Sequence, residues 1–477
     1  MSASFYWYDY ETFGIDAARD RICQFGGRRT TVDLEPVGEP TLLYCKPDLD
    51  VLPHPTACLI TGITPQQAQR EGLPEPEFIA RVHAELSRPG TCGAGYNSIR
   101  FDDEFTRHAL YRNFFDPYER EWSAGCSRFD LIDVVRMCHA LRPDGIIWPQ
   151  HEDGAASFRL ELLTQANGLA HEHAHNALSD VDATIALARL VRERQPRLWA
   201  HALKLRDKRA AAAYLDTVKM TPVLHVSSKI PASRRCIALV APIARHPRNN
   251  NEVIVFDLGT DPAELLDLPA EDIRDRVFVS REDLPEGVER IPLKGVRANR
   301  LPMLAPLEVL RPEDAQRLGF DLARAEAHRQ QLLAARELLA EKIREVFAAP
   351  EREEQDAELA LYGGFASEPD RQRCNRVRAT PPDQLAQLQG LFEGPRYNEL
   401  LLRYRARHFP QTLSADEANE WREFCERKLQ HDTGLASITL PQYRELIAAL
   451  LERESEGGRL KLLQELAQWP ALAGWTG

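Results

Sequence analysis

The first two hundred residues combine strand-like and helix-like patterns of apolar positions. Short runs rich in aromatic and β-branched residues predict strands at Phe5–Glu11, Ile22–Thr30 and Thr41–Lys46, which we expect to be three consecutive antiparallel strands. Apolar residues at helical spacing predict further elements, and the last of these is closed by Pro196. The predicted helices are Glu75–Ser87, Phe105–Asn113 and Ala177–Glu193.

The pattern of apolar and polar residues changes near residue 199. A basic helix is predicted at Lys204–Arg209, and a hairpin with a long loop at Cys236–Ala244 and Glu252–Leu258. Val277–Ser280 and Arg290–Val296 read as further strands, which indicates a small β-rich region up to about residue 310. Helical patterns return at residue 311 and continue to the end of the chain. We interpret the acidic run at residues 351–358 as a solvated linker.

A chain of 477 residues is too long for one ordinary domain. The strand and helix patterns predict an α/β domain at residues 1–197, a β-rich domain with terminal helices at 198–349, and an all-helical domain at 350–477. The hydrophobic content of 43% with 28% charged residues is typical of a soluble globular protein. No apolar run is long enough to span a membrane and no signal peptide is evident, so we expect a cytoplasmic protein.

The nine cysteines are scattered without a CxxC pair, which predicts reduced thiols and no cysteine-based zinc site. The net charge of −12 does not exclude a nucleic-acid partner, because phosphates respond to local positive potential. An acidic protein that binds DNA must instead gather its cations on one surface.

Acidic residues in three distant segments are the main chemical feature. Asp9 and Glu11 share one face of a predicted strand, where two carboxylates repel unless a divalent cation lies between them. Taken alone, such a DxE pattern is more often a solvated strand end. Asp102 follows an apolar run in YNSIRFDDEF, and only one of the three acids Asp102, Asp103 and Glu104 can face the cluster well. Acids at a helix N-terminus are an equally good explanation of that segment.

His175 and Asp180 supply the third segment. If His175 precedes a helix and Asp180 lies in its first turn, both side chains can face one point. A histidine with a pKa near its unperturbed value of about 6.5 suits a general base near neutral pH. A lone histidine at such a place is more often structural. Together the three segments predict a cation-binding site suited to in-line attack on a phosphodiester.

The order DxE, N-x3-FD and H-x4-D resembles the DEDD superfamily of 3′→5′ exonucleases. Position 176 is Asn, whereas the tyrosine-bearing branch has Tyr there, so the chain resembles the histidine-bearing branch. Longer motifs along nearly the whole chain resemble the bacterial exonuclease I family. They include DYETFG, LITGITPQ, RFDDE, SFRLE, VAPIARHP, LRPEDAQRLG and LRYRARHFP.

This resemblance implies an RNase H-like exonuclease domain of mixed sheet and helices, a small SH3-like β domain and a C-terminal all-α domain. It implies 3′→5′ degradation of single-stranded DNA to 5′-mononucleotides, in DNA repair and recombination. Asp9, Glu11 and Asp180 would bind the metal ion that carries the attacking water, and Asp9 would bridge to a second ion held by Asp102. His175 would accept the proton. Oxygen ligands favour Mg²⁺, with Mn²⁺ as a substitute, at two ions per site.

Substrate contacts are predicted with less support from the residues. The resemblance implies that Thr12 and Phe13 meet the terminal nucleotides, although core packing explains Phe13 equally well. Arg159 is a candidate phosphate contact, with a salt bridge as the alternative. Arg403 and Arg407 share a helical face that either lines a DNA track or, more simply, is solvated.

The resemblance also implies that the C-terminal tail of single-stranded DNA-binding protein is a partner, for which Arg311 and Arg317 are candidate contacts. We expect a monomer with no membrane partner. Two other functions remain open at this point. One is an RNA 3′-exonuclease of the same superfamily, and the other is a non-catalytic scaffold that binds single strands.

Overall fold

A computed structural model describes the chain at residues 3–170, 176–348 and 355–475. Within these ranges, only the backbone of Arg281 is described. The chain forms two compact units. Unit 1 contains residues 1–127, 171–185 and 353–477, and unit 2 contains residues 128–170 and 186–352. The predicted domain boundaries near residues 197 and 349 remain predictions.

Four strands of unit 1 pair in the order β3-β2-β1-β4. They are β1 (Ser4–Thr12), β2 (Ile22–Thr31), β3 (Thr41–Tyr44) and β4 (Thr91–Gly95). β1 is antiparallel to β2, β2 is antiparallel to β3, and β4 is parallel to β1. The three predicted consecutive antiparallel strands are therefore confirmed. In the register of the central pair, Asp9 lies opposite Gly26 and Glu11 lies opposite Gln24.

Helices precede and follow the fourth strand of this sheet. They are α1 (Pro55–Thr61), α2 (Pro65–Glu71), α3 (Glu75–Leu86) and α4 (Asp102–Arg112). Next along the chain are β5 (Ser127–Asp130), α5 (Leu131–Leu141), α6 (Leu160–Ala166), α7 (Ala177–Arg194), α8 (Pro196–Lys204) and α9 (Lys208–Ala212). Pro196 follows the end of the predicted helix and is the first residue of α8. Proline is favourable at this position, because the N–H group that it lacks would have no partner in the first turn of a helix.

The predicted basic helix at Lys204–Arg209 is wrong. α8 ends at Lys204, and Asp207 begins α9 by accepting hydrogen bonds from the backbone N–H groups of Arg209 and Ala210 at 2.6 and 3.1 Å. An aspartate that satisfies free N–H groups in this way marks a helix start, so one basic run is divided between two helices.

Unit 2 contains a second sheet, which is antiparallel with the order β10-β6-β7-β8-β9. Its strands are β6 (Val223–Val226), β7 (Ile237–Arg245), β8 (Glu252–Asp257), β9 (Leu293–Arg297) and β10 (Met303–Pro306). The pairing of β7 with β8 confirms the predicted hairpin. Two short helices, α10 (Ala263–Asp267) and α11 (Ala270–Phe278), follow β8.

The predicted strand at Val277–Ser280 is wrong, because its first two residues end α11. Val277 and Ile273 are both buried at a spacing of four, so they belong to one apolar stripe of a helix.

The rest of the described chain is helical, as predicted. Its helices are α12 (Pro312–Leu318), α13 (Leu322–Ala334), α14 (Arg336–Val346), α15 (Glu368–Ala379), α16 (Pro395–His408), α17 (Ala415–Gln430), α18 (Leu440–Arg453) and α19 (Gly457–Leu472). In unit 1, Tyr443, Leu463 and Trp469 of the last two helices share one hydrophobic cluster with Phe13 and Cys23. The C-terminal helices therefore pack on residues that flank the turn between β1 and β2.

All nine cysteines lie in the described ranges, where they are buried and form no disulfide. No helix in the described part of the chain is both long and apolar enough to cross a membrane.

Candidate active site

Three carboxylates meet on one side of the sheet in unit 1. Asp9 and Glu11 project from the same face of β1, and Asp180 lies in the first turn of α7. Each of the three offers an oxygen, and these oxygens lie within 4.8 Å of one another. We call Asp9, Glu11 and Asp180 the acid cluster. Its members come from positions 171 residues apart in sequence, and only the fold brings them together.

The pKa values of Asp9 and Glu11 are shifted strongly upward. Burial raises the pKa of Asp9 well above its usual range, and the charges of Asp102, Glu11 and Asp180 raise it further. Burial, followed by the charge of Asp180, raises the pKa of Glu11 from 4.5 to about 8. These shifts show that the protein holds the acids together at an electrostatic cost that a divalent cation would remove. The all-oxygen donor set fits Mg²⁺ or Mn²⁺.

Asp102 and Asp103 are adjacent but have different surroundings. Asp102 is the first residue of α4, and one of its carboxylate oxygens accepts a hydrogen bond from the backbone N–H of Tyr10 at 3.0 Å. Asp103 accepts hydrogen bonds from the Tyr8 hydroxyl and from Arg120, both at 2.6 Å. Asp102 is thus tied to the strand between the two β1 acids, whereas Asp103 belongs to a buried ion pair.

Two helix N-termini point at this region. Asp102 and Asp180 each occupy the first turn of a helix, where the partial positive charge of the helix end favours an anion. His175 lies outside the described residues, so its predicted role as general base stays a prediction. Asn176, which follows it, accepts hydrogen bonds from the backbone N–H groups of Leu178 and Ser179 at 3.2 and 3.4 Å.

The residues that follow the β1 acids are buried. The Thr12 hydroxyl donates to the carbonyl of Gly14 at 2.6 Å, and Phe13 is only 1% exposed in its hydrophobic cluster. Phe13 therefore packs in the core, and its predicted contact with the terminal nucleotides stays a prediction. Arg159 is exposed at the residue before α6 in unit 2.

Both interpretations of Arg403 and Arg407 are wrong, because the two side chains are buried. Arg403 is paired with Asp356 at 2.6 Å, and Arg407 is paired with Asp50 at 2.7 Å. The interpretation of residues 351–358 as a solvated linker is also wrong for the part that is described. Asp356 pairs with Arg403, and the buried Glu358 pairs with Arg21 at 3.2 Å and with Arg403 at 3.6 Å.

Arg311 and Arg317 of unit 2 share one buried acid. Asp314 pairs with Arg311 at 2.7 Å, with Arg317 at 3.1 Å and with Arg142 at 2.9 Å. Arg311 also pairs with Glu313 at 3.2 Å, so three guanidinium groups face two carboxylates here.

Two residues of β2 contribute to the site in a way that the DxE pattern did not reveal. Gln24 accepts a hydrogen bond from the backbone N–H of Ala177 at 3.0 Å, and Gly26 leaves the space that the start of α7 occupies. The Gly26–Gly27 pair in a predicted strand could have indicated this contact, because glycine inside a strand often marks the close approach of another backbone.

Models of three protein families match almost the whole chain in sequence. The model described as Exonuclease matches residues 6–188. Those described as Exonuclease I SH3-like domain and Exonuclease I C-terminal domain match residues 206–349 and 355–472.

Individual relatives match over similar lengths. An exodeoxyribonuclease I from Haemophilus influenzae is 42% identical over 470 residues, which cover 98% of both chains. The solved structure of a moderately thermophilic exonuclease I from Methylocaldum szegediense is 51% identical, with a TM-score of 0.94 and 99% of each chain covered. The zinc-bound complex of Escherichia coli exonuclease I with single-stranded DNA is 41% identical, with a TM-score of 0.93, covering 99% of this chain and 100% of that one.

Proposed function

The chain belongs to the exonuclease I family, and we propose that it hydrolyses single-stranded DNA from the 3′ end, releasing 5′-mononucleotides. Membership confirms the predicted fold class, which is an α/β exonuclease domain, an SH3-like β domain and a C-terminal helical domain. One observation carries the proposed activity: an acid cluster with oxygens within 4.8 Å of one another, in a chain that matches exodeoxyribonucleases over 98% of its length.

The exonuclease superfamily is dependent on divalent metal ions, and the acid cluster fits that requirement. We propose that Asp9, Glu11 and Asp180 hold one Mg²⁺ and that Asp102 and Asp9 hold a second, with Mn²⁺ as a substitute. When bound, such ions supply a nucleophile at neutral pH and stabilise the oxygen that leaves. His175 would accept the proton of the attacking water.

Asp102 and Asp103 would hold the geometry of the site before substrate binds. The bond from the Tyr10 N–H to Asp102 orients one carboxylate beside β1. The Asp103–Arg120 pair, which is almost fully buried, anchors the same turn of α4 from the other side. Because carboxylates on a strand and on helix starts cannot swing freely, the donor oxygens are positioned in advance.

One surface of unit 1 is a candidate binding site for the bases of the substrate. Tyr118, Phe115, Trp122 and Phe365 line a cavity of about 280 Å³, and the last two are 69% and 81% exposed. Arg378 lies over the Phe115 ring at 4.2 Å. Exposed aromatic rings bind bases of any sequence by stacking. Acidic side chains also line this cavity, so we propose stacking rather than attraction of phosphates as its contribution.

Replacing Trp122 with Ala tests that surface. We expect binding of a long single-stranded oligomer to weaken by about 5- to 150-fold, which corresponds to the roughly 1–3 kcal/mol of one stacked base. Cleavage of a dinucleotide should be unchanged, because the proposed contribution of this surface is to the binding of longer strands. Leu391→Ala removes an apolar side chain that is 47% exposed and lies outside the cavity, so it serves as the control. Equal binding by the Trp122 variant and the wild-type protein would remove this surface from the proposal.

Partners and location follow from the family and stay proposals for this chain. We propose the C-terminal tail of single-stranded DNA-binding protein as a partner, with Arg311 and Arg317 as its candidate contacts. We also propose that the protein is a cytoplasmic monomer that acts in repair and recombination.

Digestion of a 5′-labelled single-stranded DNA oligomer with Mg²⁺ tests the activity. Its duplex, its RNA equivalent, an EDTA sample and the Asp9→Asn variant are run beside it. We expect stepwise shortening of the single-stranded DNA alone, abolished by EDTA and by the substitution. Preference for RNA would move the protein to the RNA-processing exonucleases. Binding without shortening of any substrate would support the scaffold.

A further inference from the structure

One face of β2 holds the start of α7. Gln24, Gly26 and Arg28 alternate along this strand, so their positions share a face, and each is in contact with α7. Gln24 and Gly26 lie directly opposite Glu11 and Asp9 in the strand register. Opposed residues of an antiparallel pair lie on the same side of the sheet, so the β1 acids and this face of β2 border the same space.

The Gln24 side chain satisfies a backbone group of α7 that the helix itself cannot. The first N–H groups of a helix have no partner within it. Asn176 accepts from Leu178 and Ser179, and the remaining N–H, that of Ala177, donates to Oε1 of Gln24 at 3.0 Å. Gln24 is 1% exposed, so this hydrogen bond lies in the interior of unit 1.

The other two positions bring α7 close and limit its rotation. A Cβ atom on Gly26 would lie 2.4 Å from the backbone of Ala177 and Leu178, so only glycine permits the observed approach. Further along, Arg28 pairs with Asp182 at 2.6 Å, although this pair is partly exposed. Of these two polar contacts with α7, the one made by Gln24 is the buried one.

We infer that Gln24 is a positioning residue for the metal site: it sets the first turn of α7 so that Asp180 completes the cluster with Asp9 and Glu11. Asp180 lies three residues after Ala177, in the same helical turn. A shift of that turn moves the third carboxylate away from oxygens that now lie within 4.8 Å. The inference rests on the proposed metal site, but it concerns metal binding and does not require cleavage of DNA.

The test replaces Gln24 with Met, which has a similar length but no acceptor. Mn²⁺ binding to the full chain is measured by titration calorimetry without DNA. We expect about 10- to 100-fold weaker Mn²⁺ binding, the usual effect of removing a group that orients a metal ligand. In Mg²⁺ titrations of DNA cleavage, kcat should fall at low Mg²⁺ and recover at high Mg²⁺, with KM for DNA unchanged.

Thr30→Val is the matched control. Thr30 lies on the same strand, is fully buried and accepts a hydrogen bond from the Trp7 indole at 3.1 Å, but this bond does not involve α7. Its loss should lower the melting temperature and leave Mn²⁺ affinity unchanged.

Wild-type Mn²⁺ affinity in a folded Gln24→Met variant would overturn the inference. A loss of affinity in Thr30→Val as large as in Gln24→Met would also overturn it, since general destabilisation would then explain both. If the wild-type protein binds Mn²⁺ but does not cleave single-stranded DNA, the proposed function fails while this inference stands.

Discussion

Two groups of carboxylates in unit 1 have opposite electrostatic surroundings. In the acid cluster, burial and mutual repulsion raise the pKa values of Asp9 and Glu11. The second group, which we call the ionic network, contains Asp48, Asp50 and Glu358 with Arg21, Arg407 and Lys428. Burial alone would raise the pKa of Asp50 there, but Arg407 and Lys428 hold it well below its usual range.

The difference shows that burial of acids does not by itself identify a functional site. Asp50 accepts two hydrogen bonds from Arg407, at 2.8 and 2.7 Å, and one from Lys428 at 2.8 Å. Its charge is neutralised within the fold, and the network connects the loop after β3 to α16 and α17. The acid cluster instead concentrates negative charge, which stabilises nothing until a cation binds.

The largest effect on stability should come from breaking the ionic network. Asp50→Asn keeps the shape of the side chain and leaves Arg407 and Lys428 short of a negative charge in a buried place. We expect the free energy of unfolding to fall by about 3–5 kcal/mol, measured by urea denaturation in EDTA.

The control for this prediction is Glu77→Gln. Glu77 and Arg81 form a pair whose side chains are both at least half exposed, and its loss should cost less than about 1 kcal/mol. If both substitutions had the same small effect, the network would not have the stabilising role that its geometry indicates.

Asp9→Asn should separate stability from activity. In EDTA at pH 8 it removes an ionisable group whose burial and acidic neighbours disfavour folding, so we expect the free energy of unfolding to rise. DNA cleavage should fall at least about 100-fold, or about 2.7 kcal/mol, because a proposed ligand shared by both ions is lost. A variant that is less stable than the wild type without metal would contradict the comparison.

The smallest of these effects is a dependence of metal affinity on pH. The folded pKa of Glu11, about 8, lies above its ordinary value of 4.5. Its contribution to the stability of the metal-free protein is therefore complete below pH 4.5 and is lost as the pH rises through about 8. Metal binding displaces that proton and any proton held by Asp9, so Mg²⁺ affinity should increase by at least about tenfold per pH unit below pH 8.

Calorimetric titrations at pH 6, 7, 8 and 9 measure this dependence. The ionic network provides the internal contrast, because the pKa of Asp50 is lowered in the folded protein. Asp50 therefore stabilises the fold at pH values above its unfolded-state pKa, and this stabilisation is lost only on acidification. Glu11→Gln should flatten the pH dependence of Mg²⁺ affinity. An affinity that does not change between pH 6 and 8 would contradict the raised pKa.

Local patterns predicted most elements because apolar periodicity reports which face of a segment is buried. The strands that carry Asp9, Glu11 and Gln24 and the helix that carries Asp180 are therefore present nearly as expected. The prediction failed where a single polar residue decides the structure, as Asp207 does between α8 and α9. It failed as well at Val277, where a short apolar run fits a strand and a helix equally.

The sequence by itself determined the residue types and spacings of the candidate site, and the motifs that place the chain in its family. Only the tertiary structure decided which charges have partners, because a pattern of Arg403 and Arg407 on one helical face cannot reveal Asp356 and Asp50 opposite them. The same holds for Gln24, whose partner is a backbone N–H 153 residues away. Spacing along a chain fixes which side chains share a face of one element, whereas the electrostatic energy depends on distances across elements, which only folding sets.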